Sequence, residues 1–527
     1  TIYPDSPLSI SPDKSDGYVF TDELANWVEN FKSPGQPVFY SLDNEVGLWG
    51  ETLPAGWQSG EQPRWWENPP FPGVSPSPGG RTHPTIHPYN PSFAELRDKT
   101  IAHSGAIKDV NPNAIVFGGV GYGWTDFTEL TGAPDKVTSP SHPGGDQPGE
   151  MHYNEWLLQQ VRTAEIAQGR KLMDVLDLHW YTEVYADGQR ITGDIATPAA
   201  VAARVQAPRS LWDPTYGFNP SNPALGENSW IAQWGTQGAI KLLPRVQRDI
   251  NDFASGPADG LPETKIAITE YNYGGNNHIS GAIAQADALG IFGREGLFAA
   301  NIWGGGIYVS AAFDMYLDYD GYGGAFGDTS IHANTSNIAQ SAIYASVDES
   351  DPNRMILVAI NRTANPITTG ISLTHDRYFD HAKVYQLTSA SWNAQAAADI
   401  ELNLVNAFQY TMPAYSVSTL VLISDGLPGD FNRDGQVDAA DYTVWRNLFG
   451  QTGNLAADAN EDNIVDQKDY EIWKANYGRS ETLGSGGLSH AVPEPSLIPL
   501  LLVAVSRFIL CRPAENVSCL RRKWNSP

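Results

Sequence analysis

The chain has 527 residues, of which 41% are hydrophobic, so it is long enough for more than one packed domain. Its formal net charge of −27 argues against a nucleic-acid partner, because a phosphate backbone is bound by a basic surface. Both cysteines, Cys511 and Cys519, lie near the end of the sequence, which excludes a disulfide framework and thiol chemistry from the rest of it.

Up to about residue 325, short apolar segments alternate with helical ones, which predicts βα units and a parallel sheet. The predicted strands are 37–43, 114–121, 174–181, 265–271 and 298–303. The predicted helices are 18–32, 92–110, 150–169, 236–253 and 281–294. A segment rich in Pro, Gly and Trp, 53–81, predicts an irregular surface insertion.

The pattern changes after this α/β region. Alternating strands such as MILVAINR (355–362) and YSVSTLVLIS (415–424) predict a β-sandwich. An acidic repeat, a Gly/Ser linker and a tail follow. We therefore expect four regions, 1–329, 330–424, 425–480 and 481–527.

Two glutamates stand at the polar ends of predicted strands. Glu45 follows the apolar run in FYSLDNE, and Glu270 lies in KIAITEY. A carboxylate is costly to bury without a partner, and the carboxyl ends of barrel strands are where active sites are built. Two facing carboxyl groups suit glycoside hydrolysis, in which one protonates the leaving oxygen and the other attacks carbon or activates water. The alternative is that both glutamates belong to structural ion pairs.

Longer blocks point to a family. The segments YSLDNE, DVLDLHWY, APRSLWDPTY and ITEYNYGGNNHISGAIAQADALGIFGREG resemble glycoside hydrolase family 44, in family order from about residue 17 to 424. The resemblance implies an α/β fold with a (β/α)8 TIM barrel and a β-sandwich. It also implies a secreted endo-acting β-1,4-glucanase, active on cellulose-type glucan or xyloglucan, with no cofactor for catalysis.

The resemblance also assigns catalytic roles. Glu45 matches the family's acid/base at the end of strand four, and Glu270 matches the nucleophile at the end of strand seven, which implies a retaining double displacement. Val46 replaces the proline of the family's Asn-Glu-Pro, a change expected to affect only the loop after the acid. Because the strand before Glu45 is the first one visible, strands one to three are expected upstream of Thr1.

Several side chains beside the two glutamates are candidates for substrate contact. By the resemblance, Asn44 is the amide poised for the sugar 2-hydroxyl. The other candidates are His179, Trp180, Tyr181, Tyr271 and Trp303. For the His-Trp-Tyr run the alternative is an aromatic cluster that caps the core. Trp212, Trp230 and Trp234 either line outer subsites or pack internally, and His278 is expected to be structural.

Two interpretations compete with a glucanase. One is a carbohydrate-binding or scaffold-attached protein without catalysis, which would not need both Glu45 and Glu270. The other is a hydrolase acting on mannan or xylan, since subsites depend on loop shapes that the sequence does not specify.

The acidic repeat predicts two calcium loops. DFNRDGQVDAAD (430–441) and DANEDNIVDQKD (458–469) place oxygen ligands at positions 1, 3, 5, 9 and 12 of a twelve-residue loop. Gly435 and Asn463 take the sharp-turn position. The predicted ligands are Asp430, Asn432, Asp434, Asp438 and Asp441 in the first loop, and Asp458, Asn460, Asp462, Asp466 and Asp469 in the second.

Each loop ends in Asp rather than Glu and lacks a full preceding helix, so the repeat resembles a type I dockerin. The resemblance implies a cohesin-type partner, and the small core predicts that calcium is needed for folding. The tail segment 492–512, VPEPSLIPLLLVAVSRFILCR, resembles a bacterial PEP-CTERM sorting signal, the alternative being an exposed tail. Together these predict a secreted, cell-surface or outer-envelope bacterial protein.

Overall fold

The computed structural model describes residues 19–49, 90–136, 151–254, 260–375, 379–402, 406–424, 426–432, 435–453, 455–460, 462–480 and the backbone of 500–504. The predicted insertion at 53–81, the linker at 481–490, and the sorting-signal segment apart from 500–504 lie outside this part of the chain. Among the helices described, none combines the length and the hydropathy needed to cross a membrane.

A five-stranded parallel sheet forms the first part of the fold. Its strands are β1 (Phe39–Ser41), β2 (Ile115–Gly121), β3 (Val175–Tyr181), β8 (Lys265–Asn272) and β9 (Ala299–Ile302), paired in that order. Two short strand pairs lie in the connection from β3 to β8: β4 (Tyr185–Ala186) with β5 (Gln189–Arg190), and β6 (Gly217–Phe218) with β7 (Gly226–Glu227). All five predicted strands are present, and the parallel order is that of consecutive strands in a (β/α)8 barrel.

Helices connect and cover this sheet. They are α1 (Thr21–Phe31), α2 (Phe93–Val110), α3 (Trp124–Glu129), α4 (Tyr153–Gln168), α5 (Pro198–Arg204), α6 (Leu242–Phe253), α7 (Ile279–Arg294) and α8 (Ile307–Leu317). The predicted helices correspond to α1, α2, α4, α6 and α7. Short 3₁₀ helices span Val46–Leu48 and Ala207–Leu211, and a π-helical turn spans Ile231–Gly235.

The β-sandwich predicted for the next region is confirmed as two packed sheets. The larger sheet contains β10 (Thr329–Ile331), β12 (Ser341–Asp348), β13 (Asp351–Asn361), β19 (Ser416–Ile423), β15 (His381–Thr388), β16 (Ser391–Ala396) and β17 (Ile400–Glu401). The smaller sheet contains β11 (Ala333–Thr335), β20 (Leu500–Ala504), β14 (Ile367–Thr374) and β18 (Ala407–Met412). Residues such as Ile343 and Leu357 in the larger sheet share one core with Ile371 and Phe408 in the smaller.

The opposite face of the larger sheet packs on the α/β region. Because side chains alternate along a strand, Tyr344 and Val358 point away from the sandwich core and join the core of the first region. Thr419 donates its hydroxyl to the carbonyl of Met315 at the end of α8. The sandwich therefore continues the hydrophobic packing of α7 and α8.

The acidic repeat forms a small helical module. Helix α9 (Ala439–Leu448) follows the first loop and α10 (Gln467–Asn476) follows the second. Asp438 and Asp466 cap these helices through their carboxylates. Phe431, Trp445, Ala457 and Val465 form the buried centre, with partly buried side chains packed around it. The boundaries placed after residues 329, 424 and 480 stay predictions.

Candidate active site

Glu45 lies in a tight turn directly after β1. The backbone leaves the strand at Leu42, whose N–H donates to the carbonyl of Phe117 on β2. Asp43 and Glu45 then adopt left-handed conformations, with φ of 79° and 47°, before the 3₁₀ helix begins at Val46. Positive φ is uncommon for residues other than glycine, so this turn is held by contacts from elsewhere in the fold.

Glu270 reaches the same place from the sixth position of β8. A register shift between Leu178 and His179 puts His179 of β3 directly opposite Glu270. Tyr181 then donates its hydroxyl to Glu270 Oε2 at 2.9 Å. The register shift turns His179 and Tyr181 toward Glu270, which is a common role of bulges beside active sites.

His179 stands between the two carboxyl groups. Its Nδ1 lies 3.1 Å from Glu45 Oε1 and 3.5 Å from Glu270 Oε2. One oxygen of each carboxyl group and one ring nitrogen all lie within 4.8 Å of one another. The imidazole is buried, while 26% of the Glu45 side chain and 18% of the Glu270 side chain are exposed. Both carboxylates therefore face a common, solvent-accessible point.

Burial and nearby carboxylates shift the pKa values of two side chains around the glutamates. Burial, followed by the hydrogen bond to Glu270, raises the pKa of Tyr181 above its ordinary value, so the hydroxyl stays a donor. Burial raises the pKa of Asp177 to about 6, against the hydrogen bonds that it accepts from Thr269. Asp177 lies two residues before His179 on β3.

Trp180 and Tyr271 do not line the cleft, which corrects their prediction as substrate contacts. Each is 1% exposed and belongs to the main hydrophobic core. They are register partners on β3 and β8, each one residue beyond a side chain that faces the cleft. Since neighbouring residues on a strand point to opposite faces, the alternative of an aromatic cluster in the core is the correct one for Trp180, and Tyr271 belongs to the same core.

Trp303 and Asn44 are accessible at the same edge of the sheet. Trp303 follows β9 and is 63% exposed. Its backbone is fixed on both sides, since its N–H donates to the carbonyl of Tyr271 and its own carbonyl accepts from Asn272 Nδ2. Asn44 is exposed in the turn beside Glu45, with its backbone N–H bound to Asp43 Oδ1.

The outer aromatic residues divide into two groups. Trp230 and Trp234 are 39% and 66% exposed, whereas Trp212 packs beneath the Arg294 guanidinium, 3.9 Å from the ring centre. His278 precedes α7, where its Nδ1 accepts the backbone N–H of Ser280. Burial lowers the pKa of His278. The expectation that His278 is structural agrees with this capping contact.

Asp126 is a buried residue near Glu45 that sequence reasoning missed. It lies in α3, with 0% exposure, and its Oδ2 accepts the backbone N–H of Gly47 at 3.2 Å. Burial raises its pKa to about 6, and the negative charge of Glu45 adds to the shift. Asp126 and Gly47 are 79 positions apart, so no local pattern connects Asp126 with the turn.

The predicted calcium loops have the expected local geometry. Gly435 and Asn463 have φ of 83° and 65°, and their N–H groups donate to Asp430 and Asp458, the first residues of the loops. Asp458 Oδ1 is buried without a hydrogen-bond partner, as expected of an oxygen reserved for a metal ion.

The last loop residues, Asp441 and Asp469, each accept N–H groups from within their own loop. Asp434 lies outside the described residues. The donor set that is described suits Ca²⁺, which prefers oxygen ligands.

A parallel α/β sheet that presents two facing carboxylates at its carboxyl edge defines a glycosidase-like site. The sequence model of glycoside hydrolase family 44 matches residues 1–184, and that of the dockerin type I domain matches residues 428–476. The structure resembles Cel44A, a family 44 endoglucanase from Clostridium thermocellum, with a TM-score of 0.65 and 35% identity over 79% of this chain and 73% of that one.

Three further relatives carry glucanase names. A Paenibacillus polymyxa family 44 xyloglucanase, solved with xyloglucan, has a TM-score of 0.65 and 33% identity over 80% of this chain and 73% of that one. Endoglucanase A of Paenibacillus lautus is 36% identical over 430 residues, 80% of this chain. The beta-mannanase/endoglucanase A of Caldicellulosiruptor saccharolyticus is 34% identical over 439 residues, 81% of this chain.

The chain belongs to glycoside hydrolase family 44. It spans 54% of the length of the Paenibacillus lautus relative and 29% of the Caldicellulosiruptor relative.

Proposed function

We propose that the chain is a secreted endo-acting β-1,4-glucanase that works by a retaining double displacement. The observation that carries the proposal is the close approach of Glu45 and Glu270, whose nearest ligand oxygens lie within 4.8 Å. Retaining enzymes hold their carboxyl groups about 5–5.5 Å apart, whereas inverting enzymes need about 6.5–9.5 Å to admit a water molecule. The endoglucanase and xyloglucanase relatives support a β-glucan as substrate.

The two glutamates are proposed to have different roles, as the family resemblance implies. Glu270 accepts the Tyr181 hydroxyl, which orients its carboxylate, and it is proposed as the nucleophile. Glu45 lies in the turn directly after β1, and it is proposed as the acid. Glu45 then deprotonates the water that releases the sugar.

Substrate is proposed to bind along the same edge of the sheet. The accessible Trp303 ring offers a stacking face, and Asn44 offers an amide beside the acid. His179 is as buried as Trp180 and Tyr271, which corrects its prediction as a substrate contact, and it is proposed to orient the carboxylates. Tyr181 is proposed to orient Glu270 and to contact a sugar hydroxyl. The exposed Trp230 and Trp234 are proposed for outer subsites.

Nucleophile replacement tests the mechanism on the full chain. Glu270→Ala should abolish turnover, and azide should restore part of it by giving a glycosyl azide of inverted configuration. Glu45→Ala should lose least on substrates with good leaving groups, which do not need a proton. The control Glu129→Gln changes an exposed acid of α3 and should keep wild-type rates. Proton NMR that shows the inverted anomer forming first would refute the retaining mechanism.

A substrate panel separates the competing functions. Xyloglucan, carboxymethylcellulose, mannan and xylan should be compared, because one relative carries a mannanase name. We expect the glucans to be hydrolysed faster. Binding to glucan without any product, unchanged by Glu270→Gln, would instead favour a non-catalytic carbohydrate-binding protein.

The dockerin-type module is proposed to bind two calcium ions and a cohesin-type partner. The orphaned Asp458 Oδ1 and the paired turns at Gly435 and Asn463 support calcium. Such a module suits a secreted or surface-attached enzyme, and the PEP-CTERM-like segment 492–512 is proposed as its sorting signal. Calcium titration by calorimetry should give two equivalents per chain, whereas no heat of binding would contradict the assignment.

A further inference from the structure

Asp126 is buried against the turn that carries Glu45. The side chain is 0% exposed in the first turn of α3, and no described residue forms a salt bridge with it. Its Oδ2 accepts the backbone N–H groups of Gly47 at 3.2 Å and Tyr122 at 3.3 Å, and its Oδ1 accepts the Thr131 hydroxyl at 3.0 Å. Burying a carboxylate without a neighbouring cation lowers the stability of the folded protein, so we expect this residue to have a function.

The fit between Asp126 and the turn is steric as well as polar. A Cβ atom on Gly47 would lie only 1.8 Å from Asp126 Oδ1, so the carboxylate occupies the space that any other residue would fill. Gly47 is two residues after Glu45, whose φ of 47° needs support from outside the turn. The contact fixes the backbone on which the Glu45 carboxyl group stands.

We propose that Asp126 is a positioning residue for Glu45, because its carboxylate holds the turn that carries Glu45 through the backbone N–H of Gly47. The proposal rests on the proposed function, in which Glu45 is the general acid. It assigns to a residue of α3 a part in the first chemical step, although Asp126 itself is buried behind the turn.

The test is the measurement of kcat and KM on aryl cello-oligosides with poor and good leaving groups. Asp126→Asn keeps the size and an acceptor for the Gly47 N–H, so it should keep the turn in place. Its kcat and KM should stay within about twofold of wild type on both kinds of substrate.

A second variant removes the acceptor. Asp126→Ala leaves the Gly47 N–H without this partner and should lower kcat about 10- to 100-fold on poor leaving groups, less on good ones, with KM nearly unchanged. If Asp126→Ala does not fold, Gly47→Ala decides, because its Cβ would displace the Asp126 carboxylate and should give the same selective loss. Asp249→Asn, which changes another buried carboxylate on α6, is the control and should leave kcat on both kinds of substrate unchanged.

A Glu45→Ala background distinguishes the two proposals. There, Asp126→Ala should have no further effect, since the acid is already absent. An unchanged kcat of Asp126→Ala on poor leaving groups, with Glu45→Ala impaired as expected, overturns only the positioning role. Full activity of Glu45→Ala on poor leaving groups overturns the general acid itself, and this inference with it.

Discussion

Tyr181 donates its hydroxyl to Glu270 Oε2 at 2.9 Å, from one strand of the parallel sheet to its neighbour. His179 approaches the same oxygen to 3.5 Å. Both side chains come from β3, and the hydrogen bond from the Tyr181 hydroxyl fixes the orientation of the Glu270 carboxylate on β8.

Tyr181→Phe should weaken the nucleophile without unfolding the site. A hydrogen bond to a charged group contributes about 1.5–3 kcal/mol, so we expect kcat/KM to fall about 10- to 100-fold. The loss should be similar for good and poor leaving groups, unlike that of Glu45→Ala. Tyr322→Phe, at a residue that is 95% exposed, is the matched control. A Tyr181→Phe rate within twofold of wild type would contradict this role.

A buried ion pair joins the α/β region to the sandwich. Arg362, directly after β13, donates to both oxygens of Asp287 on α7, at 2.8 and 2.7 Å, and Tyr344 donates to the same carboxylate. Arg362→Met should therefore destabilise the protein by about 3–5 kcal/mol, because it leaves a buried carboxylate without its cation.

Thermal and urea unfolding would measure this loss. The surface pair of Arg170 and Asp109 is the control, and Arg170→Met should cost less than about 1 kcal/mol. The double variant of Arg362→Met with Asp287→Leu should be more stable than Arg362→Met alone. Equal stabilities of the two would show that the ion pair is not the cause.

The pairing of the two glutamates was predictable because strand ends converge in a parallel sheet, whichever residues lie between. The facing side chains were less accessible to prediction, because the register shift at Leu178 and His179 is a three-dimensional property. Strand alternation alone could have separated Trp180 from His179. Asp126 could not be found, since only the fold brings α3 beside Gly47.

Helix α8 is an element of the fold that the sequence pattern does not predict. Its sequence, IYVSAAFDMYL, is apolar on most sides, so its periodicity does not separate a buried helix from a strand. The calcium loops, by contrast, could be predicted, since their ligand spacing and turn residues are local in sequence. Both positive-φ turns, at Gly435 and Asn463, were predicted from the sequence.

The two halves of the dockerin-type module are tied together reciprocally. Trp445 Nε1 of α9 donates to the carbonyl of Asp466, and Trp473 Nε1 of α10 donates to the carbonyl of Asp438. Each indole therefore fixes the ninth residue of the other loop. We predict that Trp445→Phe weakens calcium binding mainly in the loop 458–469, by about fivefold, as one lost hydrogen bond of about 1 kcal/mol would.

Calorimetric titration of the full chain with calcium measures this effect. Trp473→Phe should weaken the loop 430–441 instead, and Trp392→Phe, at an exposed tryptophan of β16, should leave both sites unchanged. Two unchanged sites in both module variants would show that the indole contacts do not couple the loops.

Glu227 is expected to make stability depend on pH. It is 1% exposed on β7, with Oε1 bound to the Ser229 hydroxyl and Oε2 buried without a hydrogen-bond partner. Burial raises its pKa from 4.5 to about 7, against the hydrogen bond from Ser229. The folded state thus binds this proton more tightly than the unfolded state does.

The contribution of Glu227 is complete below pH 4.5 and is lost as the pH rises through 7, which amounts to about 3 kcal/mol. Glu227→Gln is neutral at every pH, so relative to wild type it should become more stable between pH 5 and 8. Urea unfolding across this range tests the prediction, with the exposed Glu263→Gln as a control that should follow wild type. Parallel stability curves for Glu227→Gln and wild type would show that Glu227 does not titrate on unfolding, and that its carboxylate has a partner in the folded protein.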